Sequence, residues 1–388
     1  MITASRELHV FLVAGEESGD RLGAALMRAI KTMAAGGVLF SGVGGRQMAE
    51  EGLVSATTSA PTAIIGFAAI PARVIQYWRL IRETAAAALR GDPDVMVIID
   101  SPEFTHRVAK SVRRARRSIP IVNYGAPSVW AWRPGRARAM RSYIDHVMAL
   151  LPFEPAAYER LHGPPCTFVG HPAAQHVAAV RPNEDEARRR MASPPVMLVM
   201  PGSRPGEITR MLGLFKDAVE SIAAARSEVE FVIPTVSALA DTLKTEVAQW
   251  RATTRVVTEP HERDAALRIA RLALVKSGTS TLEVALAGVP MVTTYQVAPV
   301  EAFVARRVLN ISSVILVNLV LGEDVVPEFL QEDATVANVV AAAMPLFEDG
   351  PERRRQLEAF ARLDTVMEVG GEPASQRAAA IVLKHARQ

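Results

Sequence analysis

Four short stretches of this 388-residue chain combine acids, hydroxyls or cations with glycine or proline in ways that suit chemistry. In "AGEESGD" (14 to 20), Glu16 and Glu17 occupy a glycine-flanked turn. Ser18 or Asp20 there would serve as a helix cap, but two adjacent acids exceed what a cap needs, and Glu16 is the candidate for catalysis. In "IIDSPEF" (98 to 104), Asp100 leaves an apolar run and Pro102 opens a helix. A carboxylate so placed suits a general base, and Asp100 or Ser101 is equally compatible with a helix N-cap. "VMPGSRPGEITR" (199 to 210) passes through Gly202 and Ser203 to a helix start with Arg204 in the turn. Free helix N–H groups beside a guanidinium form an anion site that a diphosphate fits, while Glu207 reads as a first-turn acid complementing the dipole. "VKSGTSTLEVALAGVP" (275 to 290) repeats that form, with Ser277 in the turn. Ser280 and Glu283 fit a capping box, and Glu283 is also placed to bind ribose hydroxyls.

Two tryptophans, Trp130 and Trp132, lie one residue apart in "YGAPSVWAWRPGR" (124 to 136). In an extended segment they point alike and form one apolar wall, although either alone is more commonly a core residue. Arg133, Arg136, Arg138 and Arg141 make the loop basic, which suits a ligand part apolar and part phosphate. From Pro71, the residues Val74, Trp78 and Ile81 share a helical face, a pattern that fits core packing or contact with a bilayer surface. The basic run "RVAKSVRRARR" (107 to 117) reads as a solvated helix face.

The spacing gives other chemistries no support. Gly15 and Ser18 stand three apart, so no G-x-S-x-G elbow exists there, and "GVGGRQ" (42 to 47) has Gln47 where a dinucleotide fingerprint wants glycine. Cys166 is the only cysteine and the histidines show no metal-ligand spacing, so neither an internal disulfide nor a metal or other cofactor is expected.

What must position these groups is a series of short apolar runs alternating with helical stretches. The runs are 8 to 13, 95 to 99, 121 to 124 and 146 to 151 in the first half, and 196 to 200, 229 to 234, 271 to 275 and 290 to 295 in the second. This alternation implies an α/β fold of two Rossmann-like doubly wound domains facing a cleft. The polar "RPNEDEARRRMASPP" (181 to 195) marks the boundary: domains are expected at 1–180 and 181–345, with helices at 346–388 packing back on the first. Apolar residues at 49% and charged residues at 22% fit a globular protein. No apolar run approaches the ~20 residues that span a bilayer, and the opening residues do not fit a signal peptide, so a cytoplasmic location is expected. Residues 1–180 carry 20 Lys and Arg against 14 Asp and Glu, the remainder 24 against 27, so an anionic partner is expected for the first half. No aromatic-basic stacking module supports nucleic acid. Self-association is compatible with the sequence.

"VAGEESGD", "GVGGRQMAEEGL", "IDSPEF", "PSVWAWRPGR", "LPFEP", "FVGHP", "PGSRPGEI", "SGTSTLE" and "VNLVLG" followed by "VPEFLQE" resemble the lipid-A-disaccharide synthases, in order from about residue 8 to 335. The resemblance implies a GT-B glycosyltransferase, peripheral on the anionic cytoplasmic face of the inner membrane. It would transfer 2,3-diacylglucosamine with inversion from its UDP derivative to 2,3-diacylglucosamine 1-phosphate, giving the β-1,6 disaccharide and UDP. It further implies Asp100 as base, Glu16 as its helper, and Arg204 as the group facing the departing UDP. Ser203, Gly202 and Ser277 would lie about the donor, Glu283 would hold ribose and Asn318 would contact the nucleotide, while Trp132 and Arg133 border the acceptor. Another GT-B transferase of UDP-N-acetylglucosamine type, or an epimerase, is the alternative. Three positions depart from the commonest family form: Glu103 for Asp, Gln296 for a basic residue, and Ala69 for Glu.

Overall fold

The structure is a computed structural model, described over residues 7–57, 71–308 and 311–386. It divides into two compact units, one running to Pro172 and resuming at Gly370, the other from Ala173 to Val369.

The first unit carries seven parallel strands: β1 Leu8–Ala14, β2 Val38–Val43, β3 Val54–Ser55, β4 Val95–Ile99, β5 Ile121–Tyr124, β6 His146–Ala149 and β7 Cys166–Phe168, in the order β3-β2-β1-β4-β5-β6-β7. Its helices include α1 Glu17–Met33, α2 Arg46–Glu50, α3 Pro71–Gly91, α4 Pro102–Ala115, α5 Gly135–Met140 and α6 Glu154–Arg160. Strands buried on both faces need apolar side chains at every position, and all five residues of β4 are buried. Alternate residues feed opposite layers. Phe11, Val13, Met96 and Ile98 pack with Leu80, Ile81, Phe104 and Val108 on one face. Val10, Leu12, Val97 and Ile99 pack with Leu26, Met27 and Ile30 on the other, where the terminal helix Ala374–His385 adds Ala378 and Val382.

The second unit has six parallel strands: β8 Val196–Met200, β9 Glu230–Pro234, β10 Thr254–Val257, β11 Ala270–Lys276, β12 Met291–Tyr295 and β13 Glu328–Leu330, ordered β10-β9-β8-β11-β12-β13. The helix α7 Pro205–Ala225 lays Ile208, Met211 and Phe215 against Met197 and Val199 of β8 and Leu272 and Leu274 of β11.

The unit boundaries fall away from the expected 180/181 and 345/346. Arg181 donates to Leu286 O (3.0 Å) and pairs with Asp364, and Arg268 Nη1 donates to Ala179 O (2.7 Å), which tie the chain around residue 180 to the second unit. The helix Pro351–Val366 also belongs to the second unit, through Gln356, which brackets Met291 N and O at 2.8 and 3.0 Å. From Gly370 onward the chain clusters with the first unit.

Of the amphipathic segment, residues 58–70, Ala69 among them, and the side chain of Val74 lie outside the described residues. In α3, Trp78 and Ile81 do not share one environment: Ile81 is buried in the core, whereas Trp78 is exposed, with Arg107 4.9 Å above its ring. Among the described residues no helix is long and apolar enough to cross a membrane.

Candidate active site

In an open parallel sheet the ligand crevice lies beyond the carboxyl ends of the strands where the order reverses. In the first unit that point is β1 beside β4, paired in register from Val10↔Val95 to Ala14↔Ile99. The two loops leaving it are those carrying Glu16 and Asp100. Asp100 and Ser101 both take positive φ, 51° and 42°, a conformation costly for residues with a Cβ and enriched at functional sites. The strain is held by Asp100 N donating to Tyr124 O (3.1 Å) and Thr105 Oγ1 donating to Asp100 O (2.7 Å). Ser101 occupies the N-cap position of α4 without a side-chain cap bond. The Asp100 carboxylate is turned instead toward α1: Ser18 Oγ donates to its Oδ2 at 2.7 Å, and Ser101 N to its Oδ1 at 2.8 Å.

Neither expected cap of α1 acts as one. Glu16 holds the N-cap position with extended backbone and an exposed side chain that makes no cap bond, and no hydrogen bond joins it to Asp100 among the described residues. Asp20 is buried and accepts Gly45 N, Gln47 N and Met48 N at 2.8, 2.9 and 3.0 Å, so it caps α2 and fixes the "GVGGRQ" turn.

The tryptophan loop is a tight turn, with Ala131 N and Trp132 N both donating to Ser128 O, and so the two indoles diverge. Trp130 packs edge-on against Phe153 at 4.9 Å and donates Nε1–H to Glu154 Oε1 at 3.1 Å. Burial pushes the Glu154 carboxyl up to about 7, against the opposing pull of Leu151 N, Trp130 and Leu150 N. Trp132 is exposed, with the Arg133 guanidinium 4.3 Å from its ring. It lines a recess of about 160 Å³ with Asp100, Pro102, Ser128, Arg133 and Arg136. Glu103 stands beside this recess, 3.3 Å from Arg136, 3.4 Å from Arg107 and 3.8 Å from Arg133.

In the second unit the order reverses between β8 and β11. Beyond them lie the 201–204 and 276–280 turns, bridged by Glu207. Its carboxylate takes Lys276 Nζ at 3.1 Å and Ser203 N at 3.3 Å, and Arg204 approaches to 3.8 Å. Burial raises the Glu207 pKa, but the Lys276 hydrogen bond and charge outweigh it and hold it below the usual carboxylate value. Gly202 has φ 125°, and a Cβ there would sit 2.6 Å from Glu207 Oε2. The Arg204 side chain is 76% exposed, free to meet an anion. Ser277 is buried, its N–H donating to Thr294 O (3.1 Å), and its hydroxyl faces the buried Glu328 carboxyl, which it helps to hold ionised against burial.

Glu283 forms no capping box with Ser280. The helix Ser280–Leu286 has Thr279 at its N-cap without a side-chain bond, and Glu283 pairs with Arg263. Asn318 is buried and engaged by backbone: Oδ1 accepts Val325 N and Val326 N (3.1 and 3.0 Å), and Nδ2 donates to Val326 O (3.0 Å). As placed, it brackets a turn rather than presenting a carbonyl to a nucleotide. Gln296 Nε2 donates to Gln331 O and Ala334 O at 3.3 and 3.2 Å.

Sequence reading therefore took Ser18 only as a helix cap and passed over Glu154 and Lys276. Lys276 had a signal, since it ends an apolar strand as Asp100 follows one; the others reveal themselves only through contacts distant in sequence.

The family model for lipid-A-disaccharide synthetase matches residues 10–384. The lipid-A-disaccharide synthase of Nitrobacter hamburgensis is 52% identical over 381 residues, covering 98% of this chain and 96% of its own length. That of Rhodospirillum centenum is 39% identical over 380 residues, covering 97% and 94%. Among solved structures, Acinetobacter baumannii MurG aligns with TM-score 0.59 at 14% identity, over 97% of this chain and 99% of its own. A Neisseria meningitidis UDP-GlcNAc 2-epimerase bound to UDP-GlcNAc aligns with TM-score 0.62 at 11% identity, over the same shares. These distant structures share the fold of two parallel-sheet α/β domains seen in GT-B glycosyltransferases. The family match runs through both sheets and both switch-point turns, and the chain belongs to the lipid-A-disaccharide synthetase family.

Proposed function

We propose that this glycosyltransferase moves 2,3-diacylglucosamine from UDP to the 6-hydroxyl of 2,3-diacylglucosamine 1-phosphate in a single inverting displacement. The observation that carries the residue assignment is the Asp100 carboxylate. It is held in strained backbone at the β1/β4 switch point by Ser18, and it lines a recess with Trp132, Arg133 and Arg136. As the acceptor oxygen bonds to the anomeric carbon, its proton passes to Asp100, and the bond to the diphosphate breaks with its electron pair leaving on UDP. Glu16, on the neighbouring loop, would orient the reacting sugar. Trp132 offers an apolar face to acyl chains, and Arg133 with Arg136 offers cations to the acceptor phosphate.

The donor reading rests on the second unit. Arg204 and Lys276, with the Gly202 and Ser203 backbone at the start of α7, would stabilise charge growing on the departing diphosphate. Ser277, at the turn after β11, would hydrogen-bond the donor, and Glu283 would exchange part of its Arg263 pairing for ribose hydroxyls. Asn318 would serve by fixing its turn. The lipid substrates and the basic first half support work on an anionic cytoplasmic membrane surface, without a nucleic-acid partner.

The test is UDP release from UDP-2,3-diacylglucosamine with and without 2,3-diacylglucosamine 1-phosphate, for wild type and Asp100→Asn. Acceptor-dependent release should fall by about 10²- to 10⁴-fold in the variant, the usual worth of a general base. A variant within threefold of wild type moves the base elsewhere.

A further inference from the structure

The first unit has a second concave surface, beyond the amino ends of its strands. Lys110, Arg113 and Arg114 from the last turns of α4, Arg117 just beyond, and Arg141 with Asp145 ahead of β6 surround a hollow of about 770 Å³. These segments lead into the amino ends of β5 and β6, whereas Asp100 and Trp132 lie past carboxyl ends, so the hollow is separate from the transfer recess.

Asp145, its one acid, is already committed. Its Oδ2 accepts Ile121 N at 2.7 Å and pairs with Arg113, whose other nitrogen donates to Arg117 O at 2.5 Å. Among the described residues Lys110, Arg114, Arg117 and Arg141 make no ion pair with any acid. The Lys110 ammonium lies 4.9 Å from the Tyr143 ring centroid. Burial first, and then Arg136, Arg107 and Arg114, hold its pKa below that of a free lysine, with Glu103 opposing them. Cations on the last turn of a helix are favoured by its dipole, which accounts for Arg113 and Arg114. It does not account for Arg117 and Arg141 converging on the same hollow. Four unpaired cations in one depression focus a positive potential that several phosphate oxygens can satisfy together.

We propose that this hollow is a second anion site, which binds a multiply charged phosphate group through Lys110, Arg114, Arg117 and Arg141. The group is either the headgroup of an anionic phospholipid or a soluble phosphate ester, and the site does not depend on how the transfer recess works.

The full-length protein is titrated calorimetrically with inorganic pyrophosphate, and any binding at the turn after β8 is common to both variants and cancels in their comparison. The protein is also sedimented with vesicles of phosphatidylcholine containing about 30% phosphatidylglycerol and with phosphatidylcholine vesicles alone. The Arg114→Ser/Arg117→Ser variant is compared with Arg188→Ser/Arg251→Ser, a charge-matched control on the second unit. Pyrophosphate binding weakened about tenfold or more in the first variant and less than twofold in the control supports the site with a soluble ligand. Loss of phosphatidylglycerol-dependent sedimentation in the first variant alone supports it with a lipid headgroup. Equal responses of the two variants to both probes, or binding of neither probe by wild type, overturns the proposal. Transfer from detergent-dispersed substrates should stay unchanged in both variants, which shows that each has folded.

Discussion

Replacing Glu154 with glutamine should change how the stability of the first unit depends on pH. The carboxyl is 2% exposed, with Oε1 facing Trp130 Nε1 and Oε2 facing Leu150 N and Leu151 N. Its pKa is raised from an ordinary 4.5 to about 7 by burial. Between those values the folded chain keeps a proton that the unfolded chain has lost, so rising pH draws stability from the folded state across that window. The effect vanishes below 4.5 and is complete above 7. At roughly 1.4 kcal/mol per pH unit the penalty reaches about 3 kcal/mol. Glutamine cannot ionise, and its NH2 must face one of the two donor groups, a pH-independent cost of about 1–3 kcal/mol. The advantage of wild type over Glu154→Gln should therefore shrink by about 3 kcal/mol from pH 5 to pH 8, while contributions of all other titrating groups cancel. Denaturant unfolding followed by tryptophan fluorescence in a Trp250→Phe background reads the first unit, because Trp78, Trp130 and Trp132 all lie there. Parallel pH profiles for the two proteins, differing by a constant, would refute the reasoning and place the ionised carboxylate in a better-solvated setting than its burial implies.

Ser18→Ala should lower the kcat of transfer about tenfold, with both KM values within threefold, because the hydroxyl orients Asp100 rather than binding substrate. Ser18→Thr should restore most of the rate, and a KM effect with kcat intact would contradict the assignment. Asp20→Ala strips three backbone N–H groups of one buried carboxylate and should cost about 3–5 kcal/mol in denaturant unfolding at pH 7. Amide exchange at Gln47 and Met48 should accelerate with it, and a loss under 1 kcal/mol would show that α2 is held by other contacts.

The central strands were legible in the chain because parallel strands buried on both faces must be apolar throughout: "VMVII", "IVNY" and "VMLVM" fall on β4, β5 and β8 without a residue's error. The strands that sequence reading passed over are β2, β3, β7, β10 and β13. Four of these are sheet edges, short and partly solvated, and β2 carries a serine and a glycine, so none offers a continuous apolar run. The acid after β4 and the arginine turn after β8 were visible for the same reason, since a strand's end is visible wherever the strand is. What joins them was not. Ser18 reaches Asp100 over 82 residues, Lys276 reaches Glu207 over 69, and Asp20 crosses from one helix to cap another. The paired tryptophans likewise part company because the turn at Ser128 sends Trp130 to Glu154 and leaves Trp132 exposed. Periodicity and capping patterns report on neighbours within about one turn of chain, which is enough to mark strands and their ends. Which side chains meet beyond those ends is set by strand order, and strand order comes from packing of segments far apart in sequence.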